Sequence, residues 1–208
     1  MIEANQLIQN VTDKYASCWS YRDSGTAFSR DFVVEFETLF TRPDRFLFRW
    51  KDHSHPGEKL IHFENGIVIL QLQEDQVEIP KLQTAITMAS GSSLLASSLL
   101  GSLLLPELVH TRVDFMPVMQ YEVTEAEHEG ENIVLLLSTE LSPNFIQKLR
   151  IDVENMALLE WEQLIKAEFA DRTYLQMENF LVSQTQEVLS HDSEIGARVM
   201  FKHVSFDK

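Results

Sequence analysis

The chain has 208 residues, 17 Lys plus Arg against 32 Asp plus Glu, a net charge of −15 and 44% hydrophobic residues. Such a length fits one domain, and it buries roughly 70% of the unfolded chain's surface without help from disulfides or a structural metal. The charge excludes a nucleic-acid partner, whose phosphates it repels, and disfavours an anionic membrane surface; the single cysteine, Cys18, excludes an internal disulfide and any zinc site built on paired cysteines.

The opening Met1-Ile2-Glu3-Ala4-Asn5-Gln6 has neither a basic segment nor an apolar core, so the sequence as it stands reads as cytoplasmic, and as periplasmic if the natural chain begins further upstream. Residues 2–19 are expected to form a helix, because Ala4, Leu7, Ile8, Val11, Tyr15, Cys18 and Trp19 recur at three- and four-residue spacing. Asn10-Val11-Thr12 matches a glycosylation acceptor but falls inside that helix, which makes it a chance match.

From Ser20 the period becomes two. Residues 20–30 form a strand with a turn at Asp23-Ser24-Gly25. In 31–40, Phe32, Val34, Phe36, Thr38 and Phe40 share one face, with Glu35 and Glu37 opposite. Arg42-Pro43-Asp44 turns the chain. In 45–51, Phe46, Phe48 and Trp50 alternate with Arg45, Leu47, Arg49 and Lys51. His53-Ser54-His55-Pro56-Gly57 reads as a loop, and Asn65-Gly66 joins strands 59–64 and 67–73 in a hairpin.

Residues 82–106 carry no charge. The length suits a membrane span, but Ser97, Ser98, Ser102 and Gly101 interrupt the leucines, so a buried or cavity-facing helical segment over 82–105 is expected, stopped by Pro106. Strands resume at 117–126 and 132–140 around the acidic turn at 128–131, then at 146–153 and 157–168 around Glu154-Asn155. In the last of these, Leu159, Trp161 and Gln163 are expected to oppose Leu158, Glu160 and Glu162. Two further strands are expected at 174–184 and 197–206.

The inventory is α+β: one N-terminal helix, a long antiparallel meander and a central helical insertion. A sheet of sequential hairpins twists and curls, and the two helical segments are the candidates to cover its concave face.

Three stretches carry a resemblance: Tyr15 to Gly25, Phe36 to Phe48 with its Phe40-Thr41-Arg42-Pro43-Asp44-Arg45-Phe46 core, and Ser90 to Pro106. Together they resemble the LolA-like group, bacterial proteins similar to outer-membrane lipoprotein-sorting proteins. Leu149 to Glu154, followed by Leu158-Leu159, looks like that group's late hairpin. The resemblance implies a single domain over 1–208: a half-open antiparallel barrel with helix 1–19 and a helical lid at 82–105 closing its mouth. In carriers of this type the concave apolar face and lid hold acyl chains. The acidic second half and the last 40 residues depart from the pattern.

The candidate ligand wall is therefore Phe36, Phe46, Phe48, Trp50 and Trp161, with Leu95, Leu99 and Leu103 on the lid. Periodicity does not separate a cavity wall from ordinary core, since both demand the same alternation. The leucines of this segment read as ordinary packing or, given the serines among them, as a movable cover with one small polar face.

No catalytic residue is expected. There is no Gly-x-Ser-x-Gly elbow, Glu160 and Glu162 read as a solvated face, and Gly91-Ser92-Ser93 reads as a helix cap rather than an anion site. No metal or cofactor is expected either, His53 and His55 being a short acid-flanked pair. Arg42, Arg45, Arg49 and Lys51 form a basic cluster, with Arg22 and Arg45 expected to pair with Asp23 and Asp44.

The expected function is non-enzymatic binding or carriage of a hydrophobic ligand, a lipid or an acylated protein. The chain is not expected to span a membrane. The alternative is a protein-interaction module using the curved sheet or the acidic second half, where residues 107–208 carry a net −11 against −1 for residues 1–60.

Overall fold

The computed structural model describes residues 4–29, 32–52, 55–72, 75–89, 92–109, 122–138, 145–166, 188–190 and 193–207. Helix α1 spans Ala4–Ser17. A six-strand meander follows: β1 Ser20–Ser29, β2 Phe32–Thr41, β3 Arg45–Asp52, β4 His55–Glu64, β5 Ile67–Leu72 and β6 Asp75–Ile79. The insertion is two helices, α2 Leu82–Met88 and α3 Ser92–Leu104. The second half supplies β7 Glu122–Glu129, β8 Asn132–Ser138, β9 Phe145–Asp152, β10 Ala157–Lys166, β11 Val188–Ser190 and β12 Ser193–Asp207.

All strands join one antiparallel sheet in the order β6-β5-β4-β3-β2-β1-β12-β10-β9-β8-β7, with β11 beside β12. Two runs of sequential hairpins thus meet at the chain's last strand, which pairs β1 on one side and β10 on the other. Among the described residues β6 and β7 each have one neighbour, so the curved sheet stays open.

The helices share one face. α2 packs on β4, β5 and β6; α3 packs on β2, β1 and β12; α1 packs on α3 and reaches β7. Alternation along the strands makes that face apolar: Val34, Phe36, Phe40, Phe46, Phe48, Trp50, Ile61, Phe63, Val68 and Leu70 lie in one core cluster with the helices' leucines. No helix among the described residues is long and apolar enough to cross a membrane.

Several expectations are met residue for residue. The hairpin at Asn65-Gly66 has φ of 52° and 76°, the two left-handed residues of a type I′ turn. At the β9–β10 turn the Asp152 carboxylate accepts the backbone N–H groups of Glu154 and Asn155 at 3.0 and 3.1 Å.

Others are corrected. Asp23-Ser24-Gly25 is not a turn: β1 runs straight through it, with a bulge against β12 between Ser24 and Gly25. A Cβ on Gly25 would sit 2.3 Å from the Met200 carbonyl oxygen and 2.5 Å from Phe36 Cζ, so glycine is there for close approach. His55 to Gly57 belong to β4, while His53 and Ser54 lie outside the described residues. β6, Asp75–Ile79, is a strand beyond those expected. Trp19 does not continue the α1 stripe: it lies past the helix end and is 58% exposed. Residues 117–121 and 174–184, expected as strand, lie outside the described residues.

Candidate functional site

The helix-covered face is where the predicted ligand residues meet. Phe36 sits on β2, directly across from Trp50 on β3; Phe46 and Phe48 share Trp50's face two residues apart. The Phe36 and Phe48 rings stack with centroids 5.7 Å apart, and Phe48 lies 5.7 Å from Trp50. From β12, Phe201 meets the Phe36 ring edge-on at 5.8 Å. Phe36, Phe46, Phe48, Trp50, Trp161, Leu99 and Leu103 are all buried in the same cluster. Leu95 lies on α3, but its side chain falls outside the described residues.

Trp161 reaches this face by an unexpected route. The β9–β10 pairing shifts register between Leu158 and Glu160, so Leu158 and Trp161 both face the helices while the intervening Leu159 is only half-buried. A strict two-residue period had put Leu159 with Trp161; the bulge moves Leu158 there instead. The Trp161 indole N–H donates to the Gln147 side-chain oxygen, which gives the buried ring its polar partner.

α3 is buried, as expected of the segment over 82–105, but without a separate small polar face. It has no wet face among its described side chains: Ala96, Ser97, Ser98, Leu99, Leu100, Leu103 and Leu104 are all buried. Half-buried Ser102 turns its hydroxyl back to the Leu99 carbonyl at 2.8 Å. A helix buried all round is a plug rather than a surface lid. It lies between α1, α2 and the central strands. Gly101 lets α2 and the following loop close on it, because a Cβ there would sit 2.9 Å from Ile86 Cδ1 and 3.2 Å from Val109 Cγ2.

The polar groups on this side lie around α1 and the β2–β3 turn. The Arg42 guanidinium donates to the Cys18 carbonyl at 3.0 Å, to the Leu104 carbonyl at 3.1 Å, and to the Ala16 carbonyl. One cation thus caps the C-terminal ends of α1 and α3 together, where the helix dipoles are negative. Tyr15, fully buried, accepts the Leu158 backbone N–H at 3.1 Å. Its ring packs against Tyr21 and Phe206 at 5.2 and 4.9 Å. Tyr21 donates to Asp23 Oδ2 at 2.6 Å, and the Thr38 N–H donates to Oδ1 at 3.0 Å. Burial pushes the Asp23 carboxyl up to about 7, against these hydrogen bonds, which lower it. Burial likewise raises the Tyr15 and Tyr21 hydroxyls, so both stay protonated.

The expected ion pairs are redistributed. Arg22 pairs with Glu37 at 2.8 Å and Arg45 approaches Glu64 at 3.7 Å, whereas Asp23 points inward to Tyr21. Glu160 and Glu162 are not a solvated face: both are buried, with Arg198 bonded to Glu160 and lying 3.0 Å from Glu162, and Lys148 3.3 Å from Glu162. Arg42 and the Tyr15–Tyr21–Asp23 group escaped sequence reasoning, since nothing local marks residues that meet across so many intervening positions.

Fold and site define an α+β protein whose single open, curved antiparallel sheet carries its helices on one face, a half-barrel with a filled mouth. No family model matches the chain, and no curated protein matches it. Among solved structures it is similar to the LolA superfamily protein NE2245 from Nitrosomonas europaea, at 9% identity over 100% of this chain and 95% of that one, with a TM-score of 0.37. It is also similar to a domain from Vibrio parahaemolyticus described as outer membrane lipoprotein-sorting, at 8% identity over 97% and 91% of the two chains, with a TM-score of 0.35.

Proposed function

We propose that the helix-covered face binds a hydrophobic ligand, a lipid or an acyl chain, without enzymatic chemistry, and that α2 and α3 are the cover that moves to admit it. The observation that carries this reading is the unbroken apolar face itself, running from Leu70 on β5 through Phe48 and Phe36 to Trp161 on β10 and closed over by Leu99, Leu100 and Leu103. In the state described, the leucines of α3 occupy the place a ligand's acyl chain would take.

The cover is built to be exchangeable. α2 has seven residues, too few to persist alone. α3 places Ser97, Ser98, Gly101 and Ser102 among its leucines, residues that favour a helix less than alanine does. Both helices therefore depend on packing against the sheet to stay folded, and a ligand that takes over that packing releases them. An apolar ligand displaces like with like, each side gaining about 25 cal/mol per Å² of apolar surface removed from water, so selectivity is by shape. The resemblance of residues 15–25, 36–48 and 90–106 to LolA-like proteins points to the same use.

Native mass spectrometry and fluorescence titration with a neutral fluorescent monoacylglycerol test this. Wild-type protein is expected to take up the probe saturably. Leu99→Asp, which puts a charge in the path of the chain, is expected to abolish uptake while circular dichroism still reports the sheet. Failure of the wild-type protein to bind overturns the reading.

One observation favours the interaction module as a second reading. Among the described residues β7 has a single neighbouring strand, and Glu122, Glu125, Glu127 and Glu129 are exposed on it. A partner held there would be released as salt screens the charges, and a pull-down that persists at high salt argues against it.

A further inference from the structure

The face of the sheet turned away from the helices holds a groove of about 590 Å³, within the range of small-molecule sites. Its floor is aliphatic. Leu39 on β2 pairs across to Leu47 on β3, Leu47 to His62 on β4 and His62 to Ile69 on β5; Leu60 lies beside this row on β4, across from Arg49, and all four aliphatic residues are half-buried. Across three strand spacings that row runs about 14 Å.

The rim is cationic and under-neutralised on one side. Arg22 and Arg49 share the single carboxylate of Glu37, at 2.8 and 3.8 Å. Arg45 and His62 share Glu64, at 3.7 and 3.4 Å. Asp207 lies at the far end, where it accepts the Ser20 hydroxyl at 2.8 Å. Arg49 Nε is a buried donor with no acceptor among the described residues, and a buried donor left without a partner is costly. The Arg49 side chain as a whole is 42% exposed and lines the groove, where an anion would meet its outer N–H groups.

We propose that this outer groove is a second binding site, distinct from the helix-covered face, for a single-chain anionic amphiphile: a carboxylate or phosphate head at Arg49 and Arg22, with its alkyl chain along Leu47, Leu60 and Ile69. Strands β2 to β5 are hydrogen-bonded on both edges, so no main-chain pairing is open to a peptide there. The net charge of −15 repels an anionic bilayer as a whole, whereas a single molecule feels chiefly the local arginines. Guanidinium recognises either head group through paired N–H donors.

Calorimetric titration with dodecanoate and with dodecyl phosphate, below micelle formation, separates the two head groups; the tighter ligand names the head. A diazirine-bearing dodecanoate then maps the site by mass spectrometry. Adducts are expected on Leu47, Leu60 or Ile69. Arg49→Gln is expected to cut labelling of the groove at least tenfold and Leu60→Asn to reduce it, while any labelling at Phe48 or Leu99 is unchanged by either. The methyl ester of the same probe is expected to leave the groove unlabelled. Adducts confined to Phe48 or Leu99, equal groove labelling by the ester, or undiminished groove labelling in Arg49→Gln would each overturn the assignment. So would absence of binding by both amphiphiles, whatever the neutral monoacylglycerol does at the other face.

Discussion

Asp23 places a carboxyl group out of water on β1, between the Tyr21 hydroxyl and the Thr38 amide. Because burial raises it from 3.8 to about 7, the folded chain keeps this proton through a pH range in which the unfolded chain releases it. Stability from Asp23 is therefore fullest below the unfolded value, falls as pH climbs between about 4 and 7 by up to about 1.4 kcal/mol per unit, and is flat above. Asp23→Asn keeps the shape without the titration. Urea denaturation at pH 5 and pH 8 is expected to show the wild type losing about 2–3 kcal/mol relative to this variant across the interval; parallel behaviour would remove the proton linkage. Two positions on, Gly25→Ala is expected to cost about 1–3 kcal/mol in thermal unfolding. Adding Phe36→Leu is not expected to restore it, since the Met200 carbonyl oxygen that the new Cβ meets is backbone.

Among the elements, α1 and α3 are fastened at one point. Three carbonyls at their C-terminal ends converge on Arg42, so Arg42→Gln is expected to destabilise the fold by about 2–4 kcal/mol. Hydrogen exchange is expected to quicken in the last turns of α1 and α3 while β3 and β4 keep their protection. Exchange unchanged in both helices would mean the guanidinium does not hold them. Legibility in the sequence followed locality. Phe46, Phe48 and Trp50 announce their face because a two-residue period needs no knowledge of the rest of the chain, and Asn65-Gly66 announces its turn because positive φ selects those residues. The bulges did not show. At Leu158–Glu160 an extra residue exchanges which leucine faces inward, and only the pairing with β9 reveals it. The serines of α3 left packing and a small polar face both open, and only the closure of α1 and α2 over the helix shows Ser97 and Ser98 buried.

Over the whole molecule, the decisive contact is the longest in sequence. β12 joins the two halves of the sheet, though the final residues carry no turn or period that assigns them a central place. Joining two halves of a sheet through a terminal strand is a non-local pairing, invisible to windowed patterns. The acidity of the second half is likewise clearer in place than in count: the glutamates of β7 are exposed on a strand with one neighbour among the described residues, where charge discourages pairing with other chains, while Glu160 and Glu162 are absorbed by Arg198 and Lys148. Neither group belongs to the core cluster under the helices, on which the proposed function rests. Titration of wild-type and Leu99→Asp protein with the neutral fluorescent monoacylglycerol tests that function most directly. Saturable uptake by the wild type, lost in the variant while the sheet's circular dichroism persists, is the predicted result; no uptake by the wild type, or uptake undiminished in Leu99→Asp, would contradict it.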